Sequence, residues 1–191
     1  MGRKTDTRER VLDTAAELFQ TQGYSGTGLN TVLARSGAPK GSLYFHFPEG
    51  KTQLAVEAIA RSSHGVEERI SAVLATAAGA EEAVVALGEF FAAGLEESEY
   101  RKGCPVATVA LEAADDDDIR AACASAYRSW QEMIAEALCR WDIDPERAAA
   151  LASLVLSAIQ GALVLARTHR DASLVRSAAR QVGVLARPAV D

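Results

Sequence analysis

An all-helical fold in two parts, a small N-terminal three-helix head and a larger helical body, is predicted by three observations. Apolar residues recur at i, i+3, i+4 along nearly the whole chain, the period of helices packed on a core. Alanine is abundant, proline contributes only 5 of 191 residues, and β-branched runs are short, all of which favour helix over strand. The charge is unevenly divided: seven Lys/Arg face five Asp/Glu through Lys51, and thirteen face twenty-one beyond it, within a net −6. That balance suits a mildly basic reading head on an acidic body that a nucleic acid would repel.

The first helix is predicted over Thr5 to Gln22, with Val11, Leu12, Ala15, Leu18 and Phe19 on one face. Arg3, Lys4, Arg8 and Arg10 lie in or before it, placed to meet a phosphate backbone. From Gly23 to Lys51 the chain reads GYSGTGLNTVLARSGAPKGSLYFHFPEGK: two short helices joined by a tight turn, then the start of a longer one. Leu29, Val32 and Leu33 give the first short helix its apolar stripe, and Thr27 is expected to cap it with its hydroxyl. Gly37 stops that helix, because glycine accepts the left-handed conformation favoured at a helix C-terminus. Pro39 suits the first turn of the second short helix, whose Leu43 and Phe47 form an inward i, i+4 pair.

What remains on the second short helix is Lys40, Gly41, Ser42, Tyr44, Phe45 and His46, facing outward or flanking the buried edge. Two small residues permit close approach to a duplex, while an ammonium, a phenol and an imidazole can reach phosphates or base edges. The pattern points to double-stranded DNA.

The same residues carry a family resemblance. Phe19…Gly23-Tyr24, the G-Y-x-x-T turn, the two short helices and the L-Y-x-x-F tail resemble, at fixed spacing, the helix-turn-helix of TetR/AcrR-type transcriptional repressors. Two departures, Pro39 at a usual Ser/Thr cap position and the longer Pro48-Glu49-Gly50 turn, resemble a drug-responsive branch of that family. The resemblance implies a DNA-binding domain over residues 1–50 and a helical ligand-binding and dimerisation domain over 51–191. It implies DNA contacts from Thr27, Gly28 and Asn30 at the first short helix, from Pro39, Lys40, Gly41, Ser42, Tyr44, Phe45 and His46, and from Lys51. A homodimer on a near-palindromic operator and a small-molecule inducer are implied as partners.

In the body, one long helix is predicted from about Lys51 to Thr76, with Ala55, Ile59, Ser62, Val66, Ile70 and Val73 on a face. The resemblance implies that it transmits the ligand state to the head. Ala80 to Glu97 follows as a helix, then a short one from Cys104-Pro105 to about Ala113. Asp115 to Asp118 stand where a helix N-terminus carries partial positive charge, and are expected to cap and solvate it rather than hold a metal. The helix after them runs to about Arg140. Phe90, Phe91, Cys104, Tyr127, Trp130 and Met133 are the candidates for an inducer pocket, the alternative being that they fill the core.

Pro145 opens a helix to about Thr168, and Ala172 to Ala186 forms the last. Leu151, Leu154, Val155, Ala158, Ile159 and Ala162 on one, with Leu174, Ala178 and Val182 on the other, suit a two-fold four-helix interface. A monomer burying both stripes internally is the alternative.

Several classes are excluded. His46, His64 and His169 are scattered, with no HExxH, GxSxG or phosphate loop, so no catalytic centre and no cofactor are expected. No apolar run is read as approaching the ~20 residues of a membrane span, and no secretory signal is read at the N-terminus, so a cytoplasmic protein is expected. Cys104, Cys123 and Cys139 are expected as reduced, mostly buried thiols, with a redox role for Cys104 the minority reading. The competing function is a helical ligand- or protein-binding module whose head does not bind DNA.

Overall fold

The computed structural model describes residues 2–187, with side chains from Thr7 onward. Every regular element among them is a helix: α1 (Gly2–Gln22), α2 (Leu29–Ser36), α3 (Ser42–His46), α4 (Lys51–Thr76), α5 (Ala80–Glu97), α6 (Ala107–Ala110), α7 (Asp117–Cys139), α8 (Pro145–His169) and α9 (Ser173–Leu185). The chain forms two compact units, residues 1–65 with 104–126, and residues 66–103 with 127–191. Helices α4 and α7 each contribute to both.

In the first unit, the stripe read from the sequence closes the core. Val11, Ala15, Leu18 and Phe19 of α1, Val32 of α2, Leu43 and Phe47 around α3, and Leu54 and Ala55 of α4 are all buried. α1 packs on both α2 and α6. Gly37 takes φ +67, and its neighbour's amide, Ala38 N–H, closes back on Leu33 O. That is the left-handed stop expected of a glycine there.

Four local expectations are corrected. Thr27 does not cap α2: its hydroxyl donates 2.8 Å to Gly23 O inside the α1–α2 turn, and extended Gly28 takes the cap position without a side chain. α3 begins at Ser42 rather than at Pro39, because Pro39 O receives both Ser42 N–H and Ser42 Oγ and closes a turn instead. α6 is four residues long, shorter than Cys104–Ala113. Arg8 is paired with Glu57 and lies 5.2 Å from the Phe47 ring centroid, so it serves the head's own packing; Arg10 is exposed, and the side chains of Arg3 and Lys4 lie outside the described residues.

The acidic run behaves as a cap. Asp116 Oδ1 accepts from the amides of Asp118 and Ile119 at 3.1 Å, satisfying two donors that a helix start leaves open. Its other oxygen accepts from Thr52 Oγ1 at 3.0 Å, tying the starts of α7 and α4 together.

The second unit is built on α5, α8 and α9, which pack on one another. Asp144 caps α8 by accepting from the amides of Glu146 and Arg147, and Pro145 at the first helical position loses no hydrogen bond there. Arg176 of α9 grips two carboxylates of α5 at once, Glu89 and Glu96, each through two nitrogens at 2.7–2.8 Å. Helix α8 corrects the reading of apolar runs: by length and composition it is long enough to cross a membrane. Of its apolar stretch, 44% is buried against the rest of the protein.

Candidate nucleic-acid interface and ligand-binding body

The outer surface of the first unit is set by how little of α3 is needed for the core. Leu43 and Phe47 point inward, and the residues between them are turned out. Tyr44 is 64% and Phe45 66% exposed, although both are large and aromatic. Lys40 and Gly41 are exposed, Ser42 and His46 half-buried, and Pro39 is exposed at the corner. The imidazole of His46 stands edge-on to the Phe45 ring at 5.0 Å, which orients it beside the outward aromatics. At the start of α2, Gly28 and Asn30 are exposed, whereas Thr27 is 1% exposed and offers no side chain to a ligand.

Lys51 opens α4 half-buried, with Nζ 4.3 Å from the Tyr24 ring centroid. Burial holds its ammonium below the usual lysine range, with the Glu112 carboxylate pulling in the opposite direction. The arrangement gathers a lysine and a glycine in the turn before α3 with a hydroxyl, a phenol and an imidazole on α3 itself, and a second lysine at the next helix start. Chemically that can hold an anionic backbone and reach into a groove.

In the second unit, the pocket candidates form two aromatic pairs. Phe90 and Phe91 lie 4.7 Å apart between centroids, with the Arg69 guanidinium 5.8 Å from the Phe90 ring. Tyr127 meets Trp130 edge-on at 5.6 Å. Trp130 is fully buried, and its indole Nε1 has no hydrogen-bond partner; neither has the buried amide of Gln160 on α8. Met133 is half-buried. Cys104 belongs to the first unit, buried with Cys123, whose thiol is pushed up to about 11 by desolvation first and by Cys104 second.

The C-terminal stripes divide. Leu151, Val155, Ile159 and Ala162 are buried inside the protomer, so their side chains offer little to a partner. The face left outside is Leu154, Val164 and Leu165 with exposed Gly161 and half-buried Ala158 on α8, and half-buried Leu174, Ala178 and Val182 on α9.

Comparison with known proteins shows the family. The profile of the bacterial regulatory proteins of the tetR family matches residues 11–58. The profile described as transcriptional regulator LmrA/YxaF-like, C-terminal domain, matches residues 80–181, more than half of the chain. The chain belongs to the TetR family of transcriptional regulators. It is 37% identical to the uncharacterized HTH-type transcriptional regulator YxaF of Bacillus subtilis over 98% of both chains. It is 35% identical to the HTH-type transcriptional regulator LmrA of the same organism, over 88% of this chain and 90% of the other. A TetR transcriptional regulator from Chloroflexus aurantiacus superposes with a TM-score of 0.78 at 29% identity over 96% of each chain.

This TetR-family regulator is therefore a DNA-binding protein and not an enzyme, and α2 and α3 are its helix-turn-helix. Two features of the site escaped the sequence reading. Glu112 reaches the α1–α2 turn from 87 residues away, and no local pattern announces such a contact. Gln160 could have been found, because a lone amide within Leu-Ser-Ala-Ile-Gln-Gly-Ala-Leu-Val-Leu interrupts an apolar helix and calls for a partner.

Proposed function

We propose that this TetR-family regulator is a ligand-responsive repressor. It binds a near-palindromic operator as a homodimer in the cytoplasm and leaves it when a small apolar or amphipathic inducer fills the body. Residues 1–50 act as the DNA-binding domain and 51–191 as the ligand-binding and dimerisation domain.

The exposed surface of α3 carries the DNA assignment. Lys40 with Gly41 and Ser42 reads the groove at the Pro39 corner, while Tyr44, Phe45 and His46 line the backbone and Lys51 holds a phosphate. Gly28 and Asn30 present the amide end of α2 to a second phosphate; Thr27 contributes only through the turn it braces.

The inducer assignment is supported by the orphaned polar atoms of Trp130 and Gln160 in the second unit, the first of them beside Tyr127. A buried donor without a partner costs about 1–3 kcal/mol, which a ligand supplying an acceptor recovers. Such a ligand shifts the equilibrium only by its preference for the form that does not bind DNA. Dimerisation is supported by the outward apolar face of Leu154, Ala158 and Leu165 on α8 with Leu174, Ala178 and Val182 on α9; two heads then double the contacts of one.

The test is a gel shift on the DNA immediately upstream of the gene's own start, at two salt concentrations and with a scrambled duplex as control. Specific retention that weakens with salt supports the reading, and the retained duplex then serves to screen inducers by release. Absence of specific retention by ligand-stripped protein, followed by an empty genome-wide pull-down, would overturn it.

A further inference from the structure

Glu112 follows α6, and its carboxylate reaches the turn between α1 and α2, where Oε2 accepts from the Ser25 amide at 2.7 Å. Room for it exists because residue 23 is glycine: a Cβ there would stand 2.0 Å from Glu112 Oε1, and Gly23 also holds φ +77. The same turn carries Tyr24, whose ring receives the Lys51 ammonium at 4.3 Å. A pinned negative charge and a half-buried lysine thus meet at one turn. The titration of Lys51 agrees, since Glu112 is the charge that partly offsets its desolvation.

We propose that Glu112 is an internal counter-charge to Lys51, a positioning residue that competes with the DNA backbone for the lysine's ammonium and sets how tightly the head grips a duplex. The inference rests on Lys51 as a phosphate contact, and extends it. A carboxylate fixed at Ser25 attracts an ammonium held over the neighbouring Tyr24 ring and repels the incoming phosphate, so each contact made through Lys51 is weakened. Because Glu112 belongs to residues 104–126 rather than to the first sixty-five, that weakening depends on where the later segment holds its carboxylate. The grip on DNA is therefore adjustable from a part of the chain that touches no DNA.

The experiment uses the full chain and a labelled duplex of random sequence, titrated by fluorescence anisotropy over a range of salt. Glu112→Gln keeps an oxygen for the Ser25 amide and removes the charge. Affinity is expected to rise about 3- to 10-fold, as removal of one nearby like charge from a phosphate contact does. In a Lys51→Gln background the same change is expected to have a clearly smaller effect, because only the direct repulsion between carboxylate and phosphate is then removed. Unchanged affinity for Glu112→Gln, or an equal change in both backgrounds, would overturn the proposal in favour of a purely structural hydrogen bond. Lys51→Gln alone should lower the salt slope by about 0.9, one phosphate's worth. If it does not, the phosphate assignment itself fails, separately from the role of Glu112. Thermal melts of all four proteins establish that each is folded.

Discussion

Gly88 of α5 and Ala179 of α9 meet so closely that a Cβ on residue 88 would stand 2.2 Å from the Ala179 Cβ. Only a hydrogen at position 88 allows the two backbones this approach, and Ala179 is itself buried in the contact. Gly88→Ala is expected to lower stability, because overpacking costs about 1–3 kcal/mol against ~1 kcal/mol gained in helix propensity. The check is a melting curve, and Ala179→Gly in the same chain should recover much of the loss. A Gly88→Ala protein as stable as the parent would remove this crossing as a constraint on the second unit.

The paired carboxylates beside that crossing make stability depend on pH. Glu89 and Glu96 are held below their ordinary value of 4.5 chiefly by hydrogen bonds from Arg176. A carboxylate lowered on folding stabilises above its unfolded pKa, and that contribution is lost as pH falls through the lowered folded value. Arg176→Gln should therefore lower the urea midpoint near neutral pH, and the gap from wild type should narrow below about pH 4. An equal gap at both pH values would mean that the arginine acts through packing alone. Both carboxylates are solvent-facing, so the effect is also expected to shrink in high salt.

Lys40 is exposed beside exposed Gly41 at the entrance to α3. Lys40→Ala should weaken binding to the retained operator duplex between a few-fold and ~100-fold, the loss of one ~1–3 kcal/mol contact. Anisotropy on that duplex measures it. Undiminished operator affinity would move the reading face off this corner.

Leu165 is 55% exposed on α8. Leu165→Asp places a charge on the proposed two-fold face without disturbing the core. Sedimentation is expected to show a dimer converted to monomer while helicity is retained, with operator affinity falling because paired heads are lost. A variant that remains dimeric would place the interface elsewhere.

Helix positions were legible because they follow from spacing and from a few punctuating residues. Gly37, Asp116 and Pro145 each act on the neighbouring few residues, and each stands in the structure where its local chemistry puts it. Outward and inward faces were legible only where one helix packs on one side. Around α3, buried Leu43 and Phe47 left Tyr44 and Phe45 exposed and Ser42 and His46 half-buried at the edge. On α8 the apolar residues cover much of the circumference, so periodicity could not separate Leu151 and Val155, which α8 buries in its own unit, from Leu154, which it turns outward. The internal partners of Thr27 and Arg8 were not legible for another reason. Each residue has a polar group suited to DNA, yet a nearer partner within the fold, Gly23 O or Glu57, claims it. Such competition depends on tertiary neighbours, and neither residue's surrounding sequence records them.

The split membership of the first unit limits how its reading head can be taken apart. Residues 104–126 arrive late in the chain, yet α6 packs on α1, Glu112 braces the α1–α2 turn, and Asp116 holds Thr52 at the start of α4. A fragment ending near residue 65 would leave those partners behind and expose apolar surface that α6 covers. The head is thus not a portable cassette. Grafting its operator specificity onto a relative calls for transplanting residues of both segments together, or for changing only the outward side chains of α3 and leaving the borrowed support in place.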